Sequence, residues 1–169
     1  DPSWQCHDSN KHYLSFSKIA NQRAISRSFT PPADGVVAFW MKVQAFPTSR
    51  NRIFGFGDGF EARWESGRTI YWDINKTGGN SSIATTLTNN DLGTWVHFAV
   101  AFSATNNIWI VYKNGQAVAR GSETLTAQGA AALTLGGSTW RSSSESFEGA
   151  LEDFRLYSGT LTTEQIARL

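Results

Sequence analysis

Two kinds of side chain in this sequence could do chemistry. Carboxylates could act in pairs on a glycosidic bond, and aromatic rings set among polar groups could stack on a sugar. Hydrolysis of a glycosidic bond needs two carboxyl groups about 5 to 9.5 Å apart. On a strand that distance means alternate residues, because side chains two apart share a face. No such spacing occurs here. Glu61 and Glu65 are four apart, with the Glu65-Ser66-Gly67-Arg68 turn following, and Glu152 and Asp153 are adjacent, which predicts opposite faces. His7 and His12 lie near the start without a partner motif, and no facing set of Arg, Gln, His and Tyr of the lyase kind is recognisable. These spacings point away from an enzyme.

The rings are more informative. The chain has 7 Trp, 4 Tyr and 11 Phe, against 17% charged residues. Over 36–44, Val37, Phe39, Met41 and Val43 share a core-like face, while Ala38, Trp40, Lys42 and Gln44 share the other. By the same alternation Phe60, Ala62 and Trp64 point inward, with Glu61 and Arg63 outward. Ile70, Trp72 and Ile74 point inward, with Tyr71 and Asp73 outward. Phe98, Val100 and Phe102 point inward, with His97 and Ala99 outward. Were these outer faces parts of one sheet, they would gather Trp40, Glu61, Arg63, Tyr71, Asp73 and His97. Sugars need that mixture: C–H faces stack on rings, and hydroxyls need donors and acceptors. The alternative is an ordinary solvated sheet face with cross-strand ion pairs. Trp140-Arg141, in the Ser-rich stretch 138–146, is a second candidate, since an exposed Trp beside Arg is a frequent recognition pair. Its alternative is a Trp folded back over a sheet edge.

The elements that must position these residues read as short strands between turns. Strands are predicted over 13–16, 23–29, 36–46, 52–56, 60–64, 69–74, 82–87, 95–102, 108–113, 116–120, 133–135 and 149–157. Asn114-Gly115 is the strongest hairpin signal. Only 161–169 reads as helix, with Thr162 or Thr163 as cap and Glu164 in the first turn. The 169 residues suit a single domain, 1–169. A net charge of +1 without a basic run excludes the usual nucleic-acid binder. The longest apolar run, 36–41, is of strand length, so no membrane span is expected. The lone Cys6 permits no internal disulfide. The sequons at Asn75 and Asn80 are no more than a chance match would supply in so Asn- and Ser-rich a chain. No signal peptide is visible, and the opening Asp1-Pro2-Ser3 reads as the edge of an excised or processed module.

Several stretches resemble one family. Gly93-Thr94-Trp95-Val96-His97-Phe98-Ala99-Val100, Ile110-Val111-Tyr112-Lys113-Asn114-Gly115, Leu135-Gly136-Gly137, the run 147–157 and the closing 158–166 stand in the order of laminin-G-like, concanavalin A-like jelly rolls. The resemblance covers nearly the whole chain. It implies an all-β, two-sheet antiparallel jelly-roll sandwich with a short C-terminal helix. It also implies that Trp95 and Trp109 pack in the core, while Trp4 stays ambiguous. The expected function is a non-catalytic carbohydrate-binding module of a secreted or cell-surface protein, with a poly- or oligosaccharide as partner and further domains in the parent chain. The alternatives are a protein-binding adhesion module of laminin-G type and a small polysaccharide hydrolase or lyase. The family often holds a structural calcium, and its first acid corresponds here to Glu152. The acidic residue that family members often carry near the start is missing, since Phe16-Ser17-Lys18 stands there.

Overall fold

The computed structural model describes residues 3–8, 11–57, 59–139 and 145–169. Trp140 and Arg141 therefore lie outside the described residues. Among those described, thirteen strands pair antiparallel into two sheets, as a jelly-roll sandwich requires. In chain order the strands are β1 (Ser3–Asp8), β2 (Lys11–Phe16), β3 (Ala24–Phe29), β4 (Asp34–Lys42), β5 (Asn51–Phe56), β6 (Phe60–Trp64), β7 (Thr69–Lys76), β8 (Gly79–Thr86), β9 (Val96–Ser103), β10 (Ile108–Lys113), β11 (Gln116–Gly121), β12 (Ala131–Leu135) and β13 (Gly149–Ser158). The seven-stranded sheet runs β1-β2-β13-β4-β9-β10-β11, and the six-stranded sheet runs β3-β12-β5-β6-β7-β8. Strand β1 is an addition to the sequence expectation.

Alternation places one face of each strand between the sheets. There Phe39 of β4 stacks on Phe154 of β13 with ring centroids 5.5 Å apart, Phe54 of β5 meets Phe154 at 5.3 Å, and Trp72 of β7 meets Phe98 of β9 at 5.2 Å. Trp109 is fully buried in this core, as expected. At the β10–β11 hairpin Asn114 and Gly115 have φ of 49° and 77°, the two left-handed positions of a type I′ turn.

The predicted tail helix is real but short: α1 spans Thr163–Ile166. Thr162 caps it by accepting from the Gln165 amide, while the Gln165 side chain accepts from the Thr162 amide at 2.8 Å. Its buried Ile166 lies on the outer face of the seven-stranded sheet, over Val36, Ala38, Ala99 and Tyr112. Ala38 and Ala99 do point outward, as alternation predicts, but the helix covers them. It occupies one part of that face and leaves the part around Trp40 and Tyr13 open.

Candidate functional site

The six outward residues do not share a sheet. Trp40 and His97 belong to the seven-stranded sheet, whereas Glu61, Arg63, Tyr71 and Asp73 belong to the six-stranded one, so the two groups lie on opposite sides of the sandwich. Alternation read each strand's outward side correctly. It carries no information about which sheet a strand joins, and that is why one platform was expected where there are two.

On the six-stranded sheet, register sets Arg52 beside Arg63 and Arg63 beside Tyr71, and sets Glu61 opposite Asp73. The result is a lattice of ion pairs. Arg52 pairs with Glu61, and its Nε also reaches Glu145 at 2.5 Å. Arg63 donates from Nε to Asp73 at 2.5 Å and also pairs with Glu65, which takes Arg50 at 2.8 Å. The Arg63 guanidinium lies 4.8 Å over the Tyr71 ring. Glu61 and Asp73 form the carboxylate pair that sequence spacing could not reveal. They are only 4% and 7% exposed, and each is held by a guanidinium. A general acid must offer its proton to a substrate oxygen within hydrogen-bond reach. Carboxylates turned into this lattice are placed to fasten strands instead.

The seven-stranded sheet presents a different surface. One row crosses it as Tyr13, Glu152, Trp40 and His97, and the next as Ser15, Ala150 and Lys42. Trp95 immediately precedes β9. Its ring meets that of Tyr13 edge-on, with centroids 5.4 Å apart and planes at 68°. The Lys42 ammonium stands 6.0 Å from the Trp95 ring. These groups wall a groove of about 430 Å³, floored by Gly149 and Ala150 and rimmed by Ser15 and Gln44. That volume falls in the roughly 300–1,000 Å³ range of small-molecule sites. By contrast, the apolar crevice between Pro31, Phe60 and Phe102 holds only about 10 Å³, room for about one water.

Trp95 is therefore a correction. It was expected to pack in the core, but it is only partly buried and forms a groove wall. The signal was present: the alternation that turns His97 and Ala99 outward turns Trp95 outward with them. Tyr13 likewise alternates with the inward Leu14 and Phe16.

Three of the expected site residues, Trp40, His97 and Glu152, lie in the row of the sheet next to this groove. The Trp40 and His97 rings meet at a tilt, with centroids 5.0 Å apart and planes at 50°, and His97 is 5% exposed. Burial lowers the His97 pKa, partly offset by the Asp153 carboxylate, with Arg155 adding to the lowering. Glu152 is buried between Tyr13 and Trp40 in the row. Asp153 was expected to point the opposite way and does not. Asp153 is the extra residue of a β-bulge, with φ of 53°, and it pairs with Arg155 at 2.6 Å. Among the described residues no group of three or more His, Cys, Asp or Glu side chains gathers to hold a metal. A calcium at Glu152 would thus have to lean on backbone carbonyls.

A laminin-G-type family model, described as the concanavalin A-like lectin/glucanases superfamily, matches residues 8–167. Among solved structures, the botulinum neurotoxin serotype D binding domain is similar over 99% of this chain and 44% of that one, at 15% identity and a TM-score of 0.75. A serotype D ligand binding domain in complex with N-acetylneuraminic acid is similar over 94% of this chain and 39% of that one, at 14% identity and a TM-score of 0.62. The native heptameric SAP-like pentraxin from Limulus polyphemus is similar over 98% of this chain and 78% of that one, at 17% identity and a TM-score of 0.67. At these identities the likeness concerns the fold. The chain spans less than half the length of the toxin binding domains. No curated protein matches it.

Proposed function

The chain belongs to the concanavalin A-like lectin/glucanases superfamily, and we propose that within it this domain is a non-catalytic module that binds a poly- or oligosaccharide for a secreted or cell-surface protein. The observation that carries this reading is the groove of Tyr13, Trp95 and Lys42. Two rings stand at the surface with a cation, an amide and a hydroxyl around them, over a floor too small to fill the space. A pyranose presents apolar C–H faces and hydroxyl edges, and this surface matches both. Lys42 makes no ion pair among the described residues, whereas the guanidiniums of Arg52 and Arg63 on the opposite face are spent on carboxylates. The groove is thus the face with groups to spare. The complex of a fold neighbour with N-acetylneuraminic acid supports a saccharide as the class of ligand. No helix among the described residues is long and apolar enough to cross a membrane.

The test is a glycan array on the isolated domain, followed by titration calorimetry of the selected glycan. Tyr13→Ala and Trp95→Ala should each weaken binding about fivefold or more, since a stacked ring contributes roughly 1 kcal/mol. Tyr71→Ala and Arg63→Ala should bind as wild type. The reverse pattern would move the glycan to the six-stranded sheet. An array with no glycan bound would favour a protein-binding adhesion module instead.

A further inference from the structure

We infer that the bound glycan is a chain of at least two sugar units that continues from this groove into a second cavity lined by Phe46, Asn51 and Trp64; this rests on the glycan-binding reading above. The second cavity holds about 230 Å³ and shares Gln44 and Gly149 with the first. Gly149 has no side chain to divide them, and none fits there: a Cβ would come within 2.7 Å of the Lys42 carbonyl oxygen and of the Phe147 ring. The two spaces therefore meet across a glycine floor with the Gln44 amide beside it.

The second cavity has the makings of a sugar subsite. Phe46 and Trp64 line it with ring centroids 6.2 Å apart. The Trp64 indole N–H is already committed to the Gly67 carbonyl at 2.8 Å. The Lys18 ammonium at the rim donates to Ser49 at 2.6 Å. Asn51 is the exception. It is 3% exposed, it lines the cavity, and its Oδ1 has no hydrogen-bond partner among the described residues. A buried acceptor without a donor is costly and scarce in folded proteins. Asn51 lines a space that a donor could enter. A sugar hydroxyl or acetamido N–H would satisfy it, and Asn51 does not line the first cavity, where a single unit would rest on Tyr13 and Trp95. Ligand length, rather than a second independent ligand, joins the two spaces.

The experiment is titration calorimetry with ladders from monosaccharide to hexasaccharide of chitooligosaccharide, xylooligosaccharide and chondroitin sulfate, together with free N-acetylneuraminic acid and sialyllactose. In the ladder that binds, affinity should rise about tenfold or more from one unit to two or three and then level. Asn51→Leu should remove that rise and leave the single unit's affinity unchanged. Because Asn51 is buried, Thr48→Trp on the exposed rim of the second cavity serves as the independent block, and it should act alike without touching the core. A flat length dependence in the wild type, or a rise that survives both variants, overturns the two-cavity chain while leaving a glycan site at Tyr13 and Trp95. If no probe binds, the domain is not a glycan binder and both inferences fall together.

Discussion

Which residues can meet a ligand is decided here by which are already paired. Arg63 has the chemistry to grip an acidic sugar, but Asp73 and Glu65 hold it, and its face lies on Tyr71. Among the described residues Lys42 makes no ion pair and stands 6.0 Å from the Trp95 ring, so the weaker-looking cation is the available one. His97 shows the same effect in its proton affinity. Burial against Trp40 favours the neutral ring, Asp153 opposes this, and Arg155 reinforces it, so the native pKa lies below the ordinary 6.5. The unfolded chain then binds a proton that the native state resists. Stability from this group is fully present above the unfolded value and is lost as pH falls from there through the folded one. The melting temperature should drop as pH falls through and below about 6.5, and His97→Gln should flatten that part of the profile. A His97→Gln profile superimposable on wild type in this range would show that other groups carry the acid sensitivity.

At the scale of elements, small departures from regular structure matter more than the strands themselves. The bulge at Asp153 lets both Leu151 and Phe154 reach the core although they are three residues apart, and it leaves Glu152 on the outer row. A second register shift, between Arg52 and Phe54, puts Ile53 and Phe54 both in the core and turns Arg52 outward. The helix Thr163–Ile166 is too short to stand alone, since the first turn of a helix is unfavourable without tertiary support. Ile166 is its anchor. Ile166→Ala should destabilise the domain by about 2–5 kcal/mol in chemical denaturation, because it removes side chain from a fully buried site. Glycan affinity should be unchanged, because the helix sits on Val36 and Ala99, away from Tyr13 and Trp95. A variant as stable as wild type would mean that α1 does not help to hold the seven-stranded sheet.

Across the whole molecule the two outer faces divide the work. The six-stranded face is bound to itself by charge, whereas the seven-stranded face carries a helix at one part and an open groove at the other. Removing one partner of a buried pair costs far more than the pair itself contributes, because the remaining charge is stranded. Arg52 and Glu61 have side chains only 3% and 5% exposed. Arg52→Ala should therefore destabilise the domain by about 3–5 kcal/mol, and Arg52→Ala with Glu61→Ala by less than the sum of the single changes. Additive losses in a double-mutant cycle would show that the two side chains do not depend on each other. The affinity of a single sugar unit at Tyr13 and Trp95 should again be unaffected, since the lattice lies on the side opposite that groove.

Local pattern was enough to determine the class of the fold and most of its strands. Alternation of core and surface residues depends only on the two-residue period of a strand, so Phe39, Phe98 and Trp72 could be assigned inward, and Trp40, Tyr71 and His97 outward, from their positions alone. The Asn114-Gly115 turn and the Thr162 cap were legible for the same reason, because both are local chemistry. Strand partnership is not local. Whether β4 lies beside β6 or across the core from it depends on how the chain crosses between sheets, and that alone separated Trp40 from Tyr71. The groove was invisible for a related reason. Tyr13, Lys42, Trp95 and Gly149 are scattered along the sequence, and only the order β2-β13-β4-β9 brings them side by side. Pairing of buried charge, and the unmet acceptor on Asn51, likewise exist only once distant strands are packed, since desolvation is a property of surroundings and not of residue type.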